Sequence, residues 1–269
     1  MTRVRYGART GEELEDREVS ATSVGAWSTS LTAIYETDPE VAAAVLPPPL
    51  EPTDRPLVRV SVATVDLGRG MPPFGAGTFA VQARHEGTIG NYPLLMPMTT
   101  EQAVIGGRET FGEPKKLAEV TLERASSDGV PEGPGSTIVG TVTRLGTTII
   151  EVRGTVGAEI STDDEQRTDF YFKFLRSPDG KGFDSEPALV YCHREETSRT
   201  ASAVDGEIIL RESRFDPVID LPVRRIVGIT LSERRSVQRG EIVSRVPADW
   251  LLPFAHQRYD DLSPLADDT

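Results

Sequence analysis

The chain has 269 residues, 38% of them hydrophobic, and a formal net charge of -13. This apolar fraction is enough to bury a core, so wholesale disorder is not expected. A surface this acidic repels phosphate backbones and anionic lipid headgroups, so nucleic acids and membranes are not expected as partners.

The cysteine content and the N-terminus both favour a cytoplasmic location. Cys192 is the single cysteine, so an internal disulfide is impossible, which suits a reducing compartment. The first residues are polar and charged, so no signal peptide is expected. The longest apolar runs are far too short to span a bilayer.

Helical signals are few in this chain. After a polar N-terminal arm over residues 1–24, Asp38 to Leu46 combines a capping residue, an early proline and an alanine-rich body, and three prolines stop it. A second helix is predicted from Thr99 or Thr100, with Gly106 and Gly107 as its expected end.

Alternating β-rich runs dominate the rest and are separated by turn residues. The predicted strands are Leu57–Val65, Thr78–Ala83, Ile138–Thr143, Thr147–Val156 and Phe170–Leu175, and the predicted turns are at Asp128-Gly129, residues 131–135, Pro178-Asp179-Gly180 and Asp205-Gly206. Many strands spaced by turns indicate a mostly β (α+β) protein, either a barrel or a sandwich. Because no linker is visible, one domain over residues 25–264 is expected.

Several site classes have no support in the sequence. No phosphate-binding or dinucleotide-binding glycine motif occurs. His85, His193 and His256 are far apart and lack metal-ligand spacing, so no metal site is expected. Cys192 and His193 adjoin in a predicted strand, where they point to opposite faces, which argues against a catalytic Cys-His pair.

A block around two adjacent lysines carries the chemistry. A polar turn follows the second helix, Pro114 favours an extended backbone at Glu113, and Lys115 and Lys116 then open a strand. On spacing alone, a solvated lysine pair that balances nearby acids is the more common explanation.

The pattern of the whole chain changes this interpretation, because it resembles the acetoacetate decarboxylase family. The matching stretches are Thr37–Glu40, Leu46–Glu51, Pro56–Arg59, Arg108-Glu109, Pro114–Leu117, Asp220–Val223 and Leu252-Pro253 with Tyr259. The Pro-Lys-Lys block is the most specific of these, and the likeness extends from about Leu31 to Leu262.

The resemblance implies an antiparallel, barrel-like domain with an internal apolar cavity, usually assembled into homo-oligomers. Lys115 would attack a substrate ketone to form an imine, and the protonated imine would draw electrons as a β-keto acid loses carbon dioxide. A small keto acid or ketone is therefore the implied substrate, and no organic cofactor is needed.

An imine-forming lysine must lose its proton. An ordinary lysine has a pKa near ~10.4, so only about one molecule in a few thousand is neutral at pH 7. Burial in an apolar pocket lowers this pKa; acetoacetate decarboxylase itself is a standard example of such an activated lysine. In an extended segment Lys115 and Lys116 point to opposite sides, so Lys116 is expected to hold Glu109 or Glu113.

Several residues are candidates for the surroundings of Lys115. Arg108 and Glu109 are expected to form a buried pair that supports it. Tyr35 and Tyr259 are candidates to supply a hydroxyl for proton transfer, although packing at a strand end is the more common role of such a tyrosine. Expected cavity-lining residues are Phe111, Tyr92, Met96, Met98 and Ala76.

Two charged positions of the family are not matched. The family's first-strand arginine falls at Trp27-Ser28-Thr29, and its glutamate falls at Gly75-Ala76-Gly77, where small residues indicate a roomier pocket or a bulge. Arg59 and Arg69 are possible substitutes for the arginine.

Two other functions therefore stay open beside decarboxylation. The same imine serves aldol condensation and dehydration, and a non-catalytic protein can use the cavity to bind an apolar carbonyl compound. A buried, neutral Lys115 at a closed apolar pocket would favour an enzyme, whereas an exposed or ion-paired Lys115 would favour the binding protein.

Overall fold

A computed structural model describes Val4 and residues 6–15, 25–68, 70–125 and 133–260. The strands are β1 (Ala26–Glu36), β2 (Glu51–Pro52), β3 (Leu57–Asp66), β4 (Phe74–His85), β5 (Thr88–Met98), β6 (Lys115–Leu117), β7 (Glu119–Ala125), β8 (Thr137–Arg144), β9 (Thr147–Glu159), β10 (Glu165–Lys173), β11 (Ala188–Leu210) and β12 (Arg225–Arg245). The main helices are α1 (Pro39–Ala44), α2 (Glu101–Phe111) and α3 (Ala248–Leu251), with one further helical turn over residues 11–15 and 3₁₀ turns at Val218–Asp220 and Leu252–Arg258.

Seven of the described strands close into a barrel in the order β10-β5-β4-β3-β1-β12-β11, because β11 also pairs with β10. Neighbours are antiparallel except β10 with β5, and β6 adds to β5 in parallel. The far end of β11 leaves the barrel and pairs with β9, which continues the sheet into β8 and β7. The predicted mostly β, barrel-like class is confirmed.

The larger hydrophobic core lies outside the barrel wall. Leu31, Val60 and Val62 are fully buried in one cluster with Ile150 of β9. Gly140 of β8 lies so close to Val62 that an added Cβ would be 2.9 Å from the Val62 side chain. The β7–β9 layer therefore covers the outer face of β1 and β3, and the inward faces of these strands are left for the site.

The second helix is longer than predicted. It runs through Gly106 and Gly107 and ends at Gly112, whose φ of +83° is the left-handed conformation that glycine adopts readily. The predicted stop at Gly106-Gly107 is wrong, and the close packing around Gly107 described below gives the reason for a glycine inside the helix.

The turn predicted at Asp205-Gly206 is also wrong. Both residues lie within β11, and Gly206 pairs with Gly154 of β9. A Cβ at Gly206 would be 2.9 Å from the Cα of Gly154, so the glycines permit two backbones to approach closely. Residues 178–180 do form a turn, whereas Asp128-Gly129, Arg69 and most of the predicted arm lie outside the described residues. No described helix is long and apolar enough to cross a bilayer.

Candidate active site

The barrel interior holds a cavity of about 650 Å³ beneath helix α2. This is within the usual size range of small-molecule sites. Its wall is apolar near the helix, where Met96, Met98 and Phe111 lie in a small hydrophobic cluster. Elsewhere the inward positions of the strands are polar, as in Ser28 and Ser30 of β1. The barrel thus encloses a site rather than a conventional core.

Lys115 lies in this cavity wall. Strand β6 pairs with β5 so that Lys115 is opposite Met96. Its side chain is only 13% exposed, and Lys115 is one of the residues that line the cavity. Arg108 of α2 donates a hydrogen bond of 3.1 Å to the Lys115 carbonyl, and thereby ties the strand to the helix above it.

Glu113 is the partner of Lys115. Its carboxylate is 2.7 Å from the Lys115 Nζ and only 1% exposed. Arg194 lies 3.3 Å from the other carboxylate oxygen. Glu113 lies in the short connection between α2 and β6, where the Lys115 N–H donates a 2.8 Å hydrogen bond to the Glu113 carbonyl, and this three-residue turn keeps the two residues close together. Lys115 is therefore ion-paired, an arrangement that by itself was expected for a binding protein.

Lys116 points the opposite way, into a separate cluster of charges. Its Nζ is 2.8 Å from Asp216 and 3.0 Å from Asp260, and Arg144 pairs with the same two carboxylates. The expected pairing of Lys116 with Glu109 or Glu113 is therefore wrong. The true partners could not be found from local sequence, because Asp216 and Asp260 are distant from Lys116 along the chain.

The other supporting residues also differ from expectation. Glu109 is exposed on the outer side of α2. Arg108 instead donates to the carbonyls of Lys115 and Arg258 and stacks on the ring of Tyr259, 5.2 Å from its centroid. The predicted buried pair of Arg108 and Glu109 is therefore replaced by contacts of Arg108 with backbone and ring.

Gly107 of α2 lies directly over the ion pair. A Cβ there would be 2.6 Å from the Lys115 Nζ and would overlap the Glu113 carboxylate. The glycine is thus needed for the lysine and its carboxylate partner to pack beneath the helix. Gly106 has open space instead, since a Cβ added there would meet no described heavy atom within 4 Å.

Of the residues predicted to line the cavity, Phe111, Met96, Met98 and Ala76 are in its wall. Tyr92 was also predicted to line the cavity, but it does not. Its ring lies on the other side of β5, next to Phe172, and its hydroxyl donates a 2.7 Å hydrogen bond to Gln257. Tyr35 is similarly committed elsewhere, since its hydroxyl donates to the Leu221 carbonyl.

A series of alternating charges continues from Glu113 around the cavity. Arg194 is 2.5 Å from Asp169, Asp169 is 3.3 Å from Arg167, and Arg167 is 3.1 Å from Glu196. Glu196 is in turn 2.6 Å from Arg234. Burial raises the pKa of Asp169, but the two guanidiniums outweigh it and lower that pKa to about 2.

These charged residues were missed by sequence reasoning. Arg167 and Asp169 alternate along β10, and Arg194 and Glu196 do the same along β11, so each pair points to one face. That period of two in charged residues, beside the apolar runs at residues 170–172 and 188–192, was the available signal. At the unmatched family positions, Ser28 and Ala76 line the cavity, as does the suggested substitute Arg59.

A cavity inside a closed β-barrel, with a buried lysine-carboxylate pair in its wall, defines a protein that binds a small molecule. The acetoacetate decarboxylase (ADC) family profile matches residues 10–246. The chain belongs to that family and is an enzyme, so the hypothesis of a non-catalytic binding protein is set aside.

Individual relatives agree with this assignment. Acetoacetate decarboxylase of Burkholderia vietnamiensis is 29% identical over 200 residues, which cover 72% of this chain and 76% of the relative. The structure of acetoacetate decarboxylase from Legionella pneumophila superposes with a TM-score of 0.69 at 20% identity, over 91% of this chain and 93% of that one. The enduracididine biosynthesis enzyme MppR, complexed with the condensation product of pyruvate and imidazole 4-carboxaldehyde, gives a TM-score of 0.69 at 16% identity, over 82% and 89%.

Proposed function

We propose that Lys115 forms an imine with the ketone of a keto acid and that this enzyme decarboxylates a β-keto acid. The observation that carries the proposal is the Lys115–Glu113 pair, 2.7 Å apart inside the cavity of a family enzyme. A lysine needs a proton acceptor to become a nucleophile, and here a buried carboxylate is within hydrogen-bond reach.

Glu113 carries the proton in both directions. It takes one proton from the Lys115 ammonium, and the neutral amine adds to the ketone carbon. One amine proton moves to the oxygen of the adduct, and Glu113 returns the proton it took, so that the oxygen leaves as water and the protonated imine remains. Arg194, 3.3 Å from Glu113, keeps the carboxylate in place between these two transfers.

In decarboxylation the bond between the α-carbon and the carboxylate breaks. Its electron pair moves into the protonated imine and gives an enamine, and carbon dioxide leaves. A proton then adds to the enamine carbon and water releases the ketone. The apolar wall of Met96, Met98 and Ala76 supports this step, because a carboxylate without hydrogen-bond partners is destabilised relative to neutral carbon dioxide.

Aldol condensation followed by dehydration is the second candidate. It needs a base that removes a proton from the carbon next to the imine, and Glu113 is close enough to Lys115 to serve. MppR, the structural neighbour complexed with a condensation product, has the same fold, and this likeness supports testing condensation beside decarboxylation.

Borohydride trapping tests the imine. The protein is incubated with a panel of ketones and keto acids, reduced, and mapped by mass spectrometry. The expected result is one reduced adduct on Lys115, absent from Lys115→Met and retained in Lys181→Ala, which changes an exposed lysine. No adduct with any member of the panel would overturn the proposal.

Isotope-labelled substrates separate the two reactions. A β-keto acid labelled with ¹³C at its carboxylate should release labelled carbon dioxide when it is turned over. Consumption of pyruvate together with an aldehyde, without gas release, would instead assign condensation.

Assembly and location complete the proposal. A homo-oligomer is supported by exposed apolar side chains along β12, at Ile226, Val227, Ile242 and Val243. A mass near 29.3 kDa in light scattering would contradict it. A cytoplasmic location stays a prediction, and fractionation of cells that express the protein tests it.

A further inference from the structure

The cavity has more positive than negative charge, although the chain as a whole is strongly acidic. Among the described residues that line it, five are cations and three are carboxylates. The cations are Lys115, Arg59, Arg167, Arg194 and Arg234, and the carboxylates are Glu113, Asp169 and Glu196. Such a surplus in an enclosed space attracts anions.

Most of the surplus lies away from Lys115, at the end of the charge series. There Arg167 and Arg234 share the buried carboxylate of Glu196, which is 3.1 Å from the first and 2.6 Å from the second. Arg167 also contacts Asp169, and Arg234 lies 3.9 Å from the exposed Glu165. Arg59 of β3 lies near the same group, and it forms no hydrogen bond or ion pair with any described residue. Burial and the neighbouring Arg167 lower the pKa of Arg59 to about 10.

An unused hydroxyl lies near this cation. The side-chain oxygen of Thr32 is buried without a hydrogen-bond partner among the described residues, and Thr32 lines the cavity. Thr32 pairs with Ser61, the residue two positions from Arg59 on the same face of β3. A buried polar atom without a partner is costly, so a ligand that supplies a hydrogen bond there is favoured.

We propose that Arg59, with Thr32, forms a second subsite that binds a carboxylate remote from the reacting ketone. The substrate class is then a keto acid longer than acetoacetate, with its ketone at Lys115 and a distal carboxylate at Arg59. This assignment of substrate rests on the proposed imine function, whereas the subsite itself does not.

The subsite separates two roles that one carboxylate cannot combine. A carboxylate that is held by an arginine is stabilised as an anion and does not leave readily. In a β-keto diacid, the distal carboxylate binds Arg59. The other carboxylate, one carbon away from the ketone, faces the apolar wall at Met96 and Met98. Only the second one is positioned to leave as carbon dioxide.

Calorimetry with non-reacting probes tests the subsite independently of Lys115 chemistry. Heptanoate and 1-heptanol are titrated into the wild-type protein and into Arg59→Met, Arg59→Lys and Thr32→Val. Heptanoate should bind the wild type, and Arg59→Met should weaken it by about 30-fold or more, as expected for a partly buried charge pair. Arg59→Lys should recover part of the heptanoate affinity. The affinity for 1-heptanol should be the same in the wild type, Arg59→Met and Arg59→Lys.

Thr32→Val keeps the interpretation clear if Arg59→Met does not fold. Valine has nearly the shape of threonine, and the hydroxyl it removes has no partner among the described residues. Thermal stability should therefore be equal or higher, while heptanoate affinity falls about 3- to 10-fold from the loss of one hydrogen bond. Arg225→Gln, which changes an exposed arginine paired with Glu36, should alter nothing.

Equal heptanoate affinity in the wild type, Arg59→Met and Thr32→Val would overturn the subsite. Trapping on Lys115 then separates the two proposals. Among 4-oxopentanoate, 5-oxohexanoate, 6-oxoheptanoate and their neutral methyl ketone analogues, the acids should trap faster, with an optimum chain length that Arg59→Met abolishes. If the acids and the neutral ketones are trapped on Lys115 at equal rates, the subsite is wrong and the imine stands. If heptanoate binding depends on Arg59 but no ketone is trapped on Lys115, the imine is wrong and the subsite stands.

Discussion

A single methyl group at Gly107 should inactivate the enzyme without unfolding it. The added Cβ would lie 2.6 Å from the Lys115 Nζ, where ordinary contact begins at 3.4 Å. The lysine must therefore retreat by about 0.8 Å, and a misplacement of about 1 Å at a reacting group costs on the order of 100-fold in rate. We expect ketone-dependent borohydride trapping by Gly107→Ala to slow by roughly that factor.

The effect on folding should be smaller. Alanine improves helix propensity by about 1 kcal/mol, while overpacking against Glu113 costs about 1–3 kcal/mol. The net loss of roughly 0–2 kcal/mol leaves the barrel folded, because the larger core lies on the other side of the wall.

Gly106→Ala is the matched control, one residue earlier in the same helix. It meets nothing within 4 Å, so it should gain helix stability of about 0.5–1 kcal/mol and trap ketones at the wild-type rate. Urea unfolding and trapping rates are measured for both variants. Equal trapping rates for Gly106→Ala and Gly107→Ala would refute the claim that Gly107 makes room for the reactive pair.

Three further outcomes are expected. Glu113→Gln keeps the shape of the side chain but removes the proton acceptor, so trapping on Lys115 should slow by about 100-fold or more and its pH profile should shift, while a normal rate would contradict the acceptor role. The pKa of Asp169 is lowered to about 2 in the folded protein from 3.8, so its stabilisation of about 2 kcal/mol is present above pH 4 and is lost as the pH falls towards 2. Asp169→Asn should flatten that part of an acid-unfolding curve, and an unchanged curve would contradict it. Burial raises the pKa of the Cys192 thiol to about 11, so the native protein should react with a thiol reagent at pH 8 at least tenfold more slowly than the urea-unfolded chain. Equal reaction rates of the two forms would contradict the burial of this thiol.

The sequence was most informative where a local pattern coincided with a family block. Lys115 and the alternation of Lys116 follow from a short extended segment, and both are placed accordingly. The partners of these lysines were not accessible in the same way. Glu113 is adjacent in sequence, but Asp216 is 100 residues from Lys116 and is brought to it only by the closed sheet.

The full length of β11 and the whole of β12 were missed for a physical reason, although a strand was predicted at Cys192-His193. A conventional strand shows alternating apolar and polar residues because one face is buried in a core. In β11 the residues Arg194 and Glu196 face the cavity and are charged, and Arg234 of β12 likewise faces the cavity and is charged. Because these parts of the two strands have polar residues on both faces, they show no hydrophobic periodicity.

The position of the main core outside the barrel has a consequence for the history of such a protein. Mutations that alter the cavity lining leave Leu31, Val60 and their partners against β7–β9 undisturbed. Natural selection can therefore exchange the groups that recognise a substrate without first accumulating compensating changes elsewhere. A lineage with this architecture can widen its range of carbonyl substrates while its lysine and its overall shape persist.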